Sequence, residues 1–232
     1  MAAITAPFFE IGPKNLLRLP QIRELATAAE RAGKRSGVSV ILTVPSPLIA
    51  GVQAAAPDVY VFAQNMDDDE VGPSVGRVIA ESLVDAQARG VMLNHESRPL
   101  DPATLARSVS RAHDNGLMTM VCAGSEAAVS DLVPLSPSVL LFEPPELIGT
   151  TGGTTRPWIR GIDAHVRAVA PQVLMMHAGG VATPADAYQI MRAGAAGTGS
   201  TSGVLRDAEP AKAVERFITA VRMGFDDHRQ GN

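Results

Sequence analysis

Short apolar runs recur along the chain, and most of them lack the polar alternation of a half-exposed strand. Near-continuous runs of this kind indicate strands that are buried on both faces, as in a parallel sheet. The first run is interrupted by Pro7, which has no N–H group to offer a neighbouring strand. We predict eight strands, at residues 3–11, 38–44, 59–63, 90–94, 117–122, 138–143, 172–177 and 195–200.

Between these runs, apolar residues recur every three or four positions, which is the period of a helix with one buried face. Several of these segments begin at a proline or a capping residue and end at a glycine, as helices commonly do. The first helix, for example, is predicted to stop at Gly33. The predicted helices are 20–32, 46–55, 74–88, 101–115, 126–133, 157–169, 183–193 and 210–222.

Eight strands that alternate with eight helices predict a (β/α)8 barrel that occupies residues 1–232 as a single domain. A doubly wound open sheet is the alternative arrangement of such units. That fold usually carries a glycine-rich turn, GxGxxG, after its first strand, whereas this chain reads EIGPKN there. The pattern therefore favours the barrel.

Composition and charge exclude several classes of protein. The chain has 232 residues and a net charge of −4, which argues against a nucleic-acid-binding surface. It lacks an uncharged apolar run of about 18 residues, so we expect no membrane span. The single cysteine, Cys122, cannot form an internal disulfide and fits a cytoplasmic location.

Catalytic residues of such barrels lie at the C-terminal ends of the strands. Three residues at these ends form a coherent set: Glu143 as a general base, His95 as a group that polarises a carbonyl, and Lys14 as a fixed cation. Small residues after the last two strands can point backbone N–H groups at a phosphate. The set predicts proton transfer next to the carbonyl of a sugar phosphate. The other strand-end candidates are Glu10, Gln64, Asn65, Asn94, Glu96, Cys122, His177, Gly179, Gly180, Ser200, Thr201, Ser202 and Gly203.

Each candidate also has a purely structural interpretation. Glu143 would then pair with an arginine at the rim, His95 would be an ordinary satisfied histidine, and Lys14 a solvated lysine. Cys122 is expected to be a small buried hydrophobe. The acidic run at 67–70 is more typical of a solvated loop tip than of a metal site.

Four segments resemble the triosephosphate isomerase family in its short, archaeal-type branch: FAQNMDDDEVGPSVGRVIAESL, GVMLNHES, LLFEPPELIGTT and AGGVATPADAYQIMRAGAAGTGSTSGV. The resemblance maps the catalytic base onto Glu143 and the catalytic electrophile onto His95. It makes Pro144 to about Gly152 a lid that closes over the phosphate, to which Gly149 brings a backbone N–H. It implies interconversion of dihydroxyacetone phosphate and glyceraldehyde 3-phosphate without a metal or organic cofactor, in a homodimer or homotetramer.

The chain departs from the family pattern in its first-strand and fourth-strand motifs. Gly12 replaces an asparagine that contacts the substrate, and Ser97 replaces the glutamate that pairs with the lysine. Thr151 stands where glycine is usual in the lid, and Thr201 begins a TSG segment where Ala-Ser-Gly is typical. These changes keep two alternatives open: an isomerase of another three- or four-carbon sugar phosphate, and a non-catalytic phosphate-binding barrel.

Overall fold

Eight parallel strands form a closed barrel, in which each strand pairs with its sequence neighbours and the last pairs with the first. The computed structural model describes residues 3–150, 152–153 and 155–231. The predicted (β/α)8 barrel is confirmed, because the β1–β8 pairing leaves no open edge. The strands are β1 (Phe8–Ile11), β2 (Ser39–Val44), β3 (Tyr60–Ala63), β4 (Gly90–Leu93), β5 (Met118–Ala123), β6 (Val139–Phe142), β7 (Leu174–His177) and β8 (Gly197–Gly199).

Helices follow each strand and form the outer layer. Short 3-10 turns at Ser46–Leu48, Val133–Leu135 and Pro145–Leu147 supplement them. In the described part of the chain, no helix is both long enough and apolar enough to cross a bilayer. The helices are α1 (Leu19–Ser36), α2 (Ile49–Gln53), α3 (Ala80–Asp85), α4 (Pro102–Asp114), α5 (Glu126–Leu132), α6 (Ile159–Val169), α7 (Pro184–Arg192), α8 (Ser202–Leu205) and α9 (Pro210–Gln230).

Several predicted boundaries are wrong, and packing explains the clearest case. Helix α1 does not stop at Gly33 but continues to Ser36 and ends at Gly37, whose φ of 61° is left-handed. A Cβ at Gly33 would lie 2.8 Å from both the Val38 carbonyl and the Val40 side chain. The glycine is therefore a point of close helix–strand approach. The first strand begins only at Phe8, after Pro7.

The remaining differences lie at the ends of helices. The predicted helix at 74–88 shrinks to α3, and the one at 210–222 extends through α9 to Gln230. The short helix α8 was not predicted at all. Its four residues follow β8 directly and leave little periodicity to detect.

The apolar core consists of two separate clusters, one inside the barrel and one between the barrel and the helices. Phe8 belongs to the inner cluster, whereas Phe9 belongs to the outer one and stacks on Phe217 of α9 at 5.5 Å. Side chains alternate along a strand, so Glu10 points to the same inner side as Phe8. A carboxyl group therefore enters the barrel interior from β1.

The acidic run after β3 is held by arginines. Asp67 pairs with Arg77 at 3.4 Å and Arg98 at 3.0 Å, and Asp68 pairs with Arg107 at 2.7 Å. These pairs tie the long loop between β3 and α3 to the loop and helix that follow β4.

Candidate active site

A cavity of about 780 Å³ opens at the C-terminal end of the barrel. Its volume lies in the usual range for small-molecule sites. Of the residues predicted to act in catalysis or phosphate binding, the structure brings all except Gly203 to this one cavity, whereas the further strand-end candidates Asn94, Glu96, Cys122 and His177 do not line it. The lining includes Lys14, His95, Glu143, Gly149, Gly179, Gly180, Thr201 and Ser202, together with Glu10, Gly12 and Ser97.

Glu143 follows directly after β6, and its backbone N–H continues the ladder by donating to Ala123 at 3.0 Å. Burial raises the pKa of its carboxyl above the ordinary value, the Lys14 and Arg156 cations oppose this, and Glu96 adds to it. A carboxylate with a raised pKa is a stronger base than a solvated one. The rim position is therefore suited to removing a proton from carbon.

His95 follows Asn94, a residue with a left-handed φ of 59° that turns the chain sharply after β4. The Ser97 N–H donates to His95 Nδ1 at 3.1 Å, and the Ser97 hydroxyl lies 2.8 Å from the same atom. Burial lowers the pKa of His95 and the Lys14 charge lowers it further, while Glu96 opposes them. Because Nδ1 accepts a hydrogen bond, the neutral ring carries its proton on Nε2.

Lys14 lies in a left-handed conformation, with φ of 50°, and Gln64 donates to its carbonyl at 2.8 Å. These features fix the backbone from which the side chain enters the cavity. Within the described residues, no carboxylate lies within ion-pair distance of its ammonium group. Ser97, which replaces the usual glutamate partner, instead binds His95.

The first half of the lid packs onto the loop that follows β7. Pro144 leads into the 3-10 turn at Pro145–Leu147, and Leu147 is buried. A Cβ at Gly179 would lie 3.0 Å from Leu147 Cβ, and one at Gly180 would lie 2.3 Å from Thr150 Oγ1. The two glycines therefore allow the lid to approach the β7 loop closely.

The segment that follows the lid is attached by two charged side chains. Arg156 donates to the carbonyls of Ala178, at 2.8 Å, and Gly179. Asp186, in the first turn of α7, accepts from the N–H groups of Gly153 and Thr183, each at 2.8 Å. Burial favours a higher pKa for Asp186, but these hydrogen bonds outweigh it and lower the pKa. Thr151, which stands where glycine is usual in the lid, lies outside the described residues.

The loops that are predicted to bind phosphate differ in what their residues contact. Thr201 Oγ1 donates to the Gly12 carbonyl at 2.8 Å, which joins the loop after β8 to the loop after β1. The Gly203 N–H donates to Ser200 Oγ at 3.1 Å, and a Cβ there would lie 2.6 Å from the Ala182 carbonyl. Gly203 therefore supports the loop from behind, and Thr201 and Ser202 face the cavity.

Two of the strand-end candidates outside the cavity lining are buried in the protein core. His177 is fully buried on the outer side of β7, with Nε2 2.6 Å from Asp163 Oδ1 of α6. Cys122 lies in the inner apolar cluster, where burial raises the pKa of its thiol. Both positions support the structural interpretation of these residues.

Sequence reasoning gave no role to Arg156, Asp186 or Glu10. Asp186 has a detectable signal, because it stands three residues after Thr183 in a capping box. Arg156 has none, since nothing in its sequence context shows which carbonyls it reaches. Glu10 is predictable as a residue at the end of its strand. Its role is not, because its neighbours across the barrel depend on the fold.

The comparison with known proteins agrees with this geometry. The family model described as Triosephosphate isomerase matches residues 14–216. Proteins named triosephosphate isomerase from Sulfurisphaera tokodaii and Sulfolobus acidocaldarius are each 32% identical to this chain. The alignments cover 88% and 84% of this chain, and 89% and 85% of those proteins. A protein of the same name from Pyrobaculum calidifontis is 32% identical over 81% of this chain and 83% of its own length. This chain is a member of the triosephosphate isomerase family.

Proposed function

We propose that the protein interconverts dihydroxyacetone phosphate and glyceraldehyde 3-phosphate through an enediol(ate). The observation that carries this proposal is the convergence of Glu143, His95 and Lys14 on one cavity beneath the lid segment. Family membership supports the same reaction. The substrate is a small phosphosugar, and no step requires an additional cofactor.

Glu143 is proposed to remove a proton from C1 of dihydroxyacetone phosphate. The electron pair of that C–H bond forms the C1–C2 double bond, and the carbonyl π electrons move to O2. Return of the proton from Glu143 to C2, with loss of the O1 proton, makes the aldehyde. One carboxylate serves both steps, so no net proton is consumed.

His95 is proposed to donate from Nε2 to the substrate oxygens and to move the proton between O1 and O2. A neutral imidazole suits this role, and triosephosphate isomerase is the standard example of it. Lys14 supplies a positive charge that stabilises the developing enediolate. Its lack of a carboxylate partner among the described residues favours interaction with the anionic substrate.

The phosphate is proposed to bind between Gly149 of the lid and the loops that contain Gly179, Gly180, Thr201 and Ser202. These residues line one side of the cavity and present little side-chain bulk. Gly203 is proposed to hold this loop in place. Closure of the lid is proposed to exclude water from the enediolate.

The proposal is tested by turnover of triose phosphates and by solvent deuterium exchange into dihydroxyacetone phosphate. We expect Glu143→Gln to lower both rates about 10²–10⁴-fold, the usual contribution of a general base. The matched control is Glu126→Gln, which removes an exposed acid on α5 and should leave both rates unchanged. Wild-type protein that binds the phosphosugar without exchange would instead support a phosphate-binding barrel.

Substrate choice is tested by a parallel screen of triose and tetrose phosphates. Gly12 lacks a side chain, which would favour a larger sugar if the space were open, but Glu10 Oε1 lies 3.0 Å from the position of a Gly12 Cβ and fills part of it. We expect the highest kcat/KM with the triose phosphates. A clear preference for a four-carbon substrate would contradict the proposed pair while leaving the enediolate chemistry in place.

A single-domain homodimer or homotetramer in the cytoplasm is proposed as the working state. Val71 and Val75 on the loop after β3 are 70% and 94% exposed, which supports burial against another subunit. Analytical ultracentrifugation measures the assembly state. A monomer at micromolar concentration would contradict this part of the proposal.

A further inference from the structure

A second carboxyl group lies in the cavity beside the proposed catalytic residues. We propose that Glu10 is a substrate-contacting residue, whose carboxylic acid occupies the space freed by Gly12 and donates a hydrogen bond to a substrate oxygen. The inference rests on the proposed function and adds a residue to it. Neither the resemblance to the family nor the assigned roles of Glu143, His95 and Lys14 account for this group.

The Glu10 carboxyl lies directly against two glycines, Gly12 and Gly199. A Cβ at Gly12 would lie 3.0 Å from Glu10 Oε1, and a Cβ at Gly199 would lie 2.9 Å from Oε2. A side chain at either position would displace the carboxyl. Glu10 and Gly12 are therefore a linked pair, in which the carboxyl of one residue replaces the side chain missing from the other.

The carboxyl is buried but not satisfied by the protein. Glu10 is 6% exposed and still lines the cavity. The Thr43 hydroxyl on β2 is near enough to lower the pKa of Glu10, but its geometry falls short of a hydrogen bond, and within the described residues neither this hydroxyl nor Glu10 Oε1 has a hydrogen-bond partner. A buried polar atom without a partner is costly. Oε1 is closed off from the cavity, so a substrate oxygen would contact Oε2, which is not closed off in this way and has no hydrogen bond within the described residues.

The surrounding charges favour the protonated form when substrate is bound. Burial raises the pKa of Glu10 to about 7, with the Thr43 hydroxyl and Lys14 opposing the rise and Glu143 adding to it. Cys122 of β5 also faces this group, and β8 brings only the uncharged Gly199 and Ser200. A phosphorylated substrate adds negative charge, which raises the pKa further. Glu10 is then a neutral donor.

The test is the pH dependence of kcat/KM, from pH 5 to 9, for wild type, Glu10→Gln and Glu10→Leu. We expect the wild-type value to fall above about pH 7, approaching tenfold per pH unit, as Glu10 ionises. Glutamine can also donate, so Glu10→Gln should stay within about threefold of the wild-type maximum and lose this fall. Leucine cannot donate, so kcat/KM of Glu10→Leu should be tenfold or more below that of Glu10→Gln at every pH.

The outcomes separate this inference from the function on which it rests. Wild type that does not turn over triose phosphates overturns both. Normal wild-type turnover with the same alkaline fall in Glu10→Gln overturns the Glu10 inference alone, as does full activity of Glu10→Leu. A rise in kcat/KM through pH 7 that is present in wild type and absent from Glu10→Gln would show that the ionised Glu10 carboxylate is needed and would overturn the donor role. Circular dichroism checks that both variants are folded.

Discussion

At the scale of single residues, two contacts from Ser97 determine where His95 carries its proton. The Ser97 N–H can only donate, so Nδ1 must accept and the ring proton must lie on Nε2. We predict that His95 remains neutral at pH 7, with protonated Nε2, because burial and Lys14 both lower its pKa. Imidazole ¹⁵N chemical shifts measure this directly, with His95→Gln used for assignment. A protonated Nδ1 would contradict the prediction.

The residues of the candidate site differ in how far sequence could predict them. Glu143, His95 and Lys14 follow buried strands, so the barrel topology alone places them at one rim. The direction of Glu10 can be read from strand alternation, but its proximity to Gly199 depends on closure of β1 against β8. Arg156 reaches carbonyls 22 and 23 positions away, a relation that no local pattern records.

At the scale of elements, we expect alanine to have opposite effects on stability at two helix glycines, Gly33 of α1 and Gly161 of α6. Gly33→Ala should destabilise the protein by about 1–3 kcal/mol, because a Cβ would overlap Val38 and Val40 despite the better helix propensity of alanine. Gly161→Ala is the matched control on α6. It is exposed, and apart from its own helix backbone no atom of the described residues lies within 4 Å of its Cβ position, so the change should be neutral or stabilising by up to about 1 kcal/mol.

Chemical denaturation of the two variants measures both values. Equal effects at the two positions would show that close approach is not what keeps glycine at 33. The same contrast explains the wrong end of the predicted helix. Gly33 and Gly37 look alike in sequence, but only Gly37 has the left-handed φ of a helix end.

The segment that follows the lid is held to the β7 loop by Arg156. We predict that Arg156→Lys lowers kcat/KM about tenfold, because an ammonium group cannot reproduce the paired donation to Ala178 and Gly179. The matched control is Arg160→Lys, which changes an exposed arginine of α6 and should have no effect. Steady-state kinetics of both variants decide the point. Unchanged kinetics in Arg156→Lys would mean that the lid closes without this anchor.

At the scale of the whole molecule, closing the barrel forces an acid into its interior, and this has a cost in stability. The inner cluster is apolar, yet β1 inserts Glu10 above Phe8 at the cavity floor. The period of the apolar runs was sufficient to predict the barrel. It could not indicate this cost, because the cost depends on how closely β2 and β8 pack around the Glu10 side chain of β1.

That cost predicts how the stability of the protein depends on pH. The pKa of Glu10 rises from 4.5 to about 7 on folding, so the folded state binds the proton more tightly. Between these pH values the folded state holds more protons than the unfolded state, and stability must fall as pH rises. We expect wild type to lose about 2–4 kcal/mol relative to Glu10→Gln between pH 4.5 and 7.5.

Comparison with Glu10→Gln removes the contributions of the other groups, since histidines and aspartates titrate alike in both proteins. Urea denaturation at several pH values measures the difference in the free energy of unfolding. The sign is decisive, because a carboxylate stabilised by Lys14 would make wild type gain on the variant as pH rises. A difference independent of pH would mean that Glu10 titrates as a solvated acid, and the buried acid in the barrel would carry no cost.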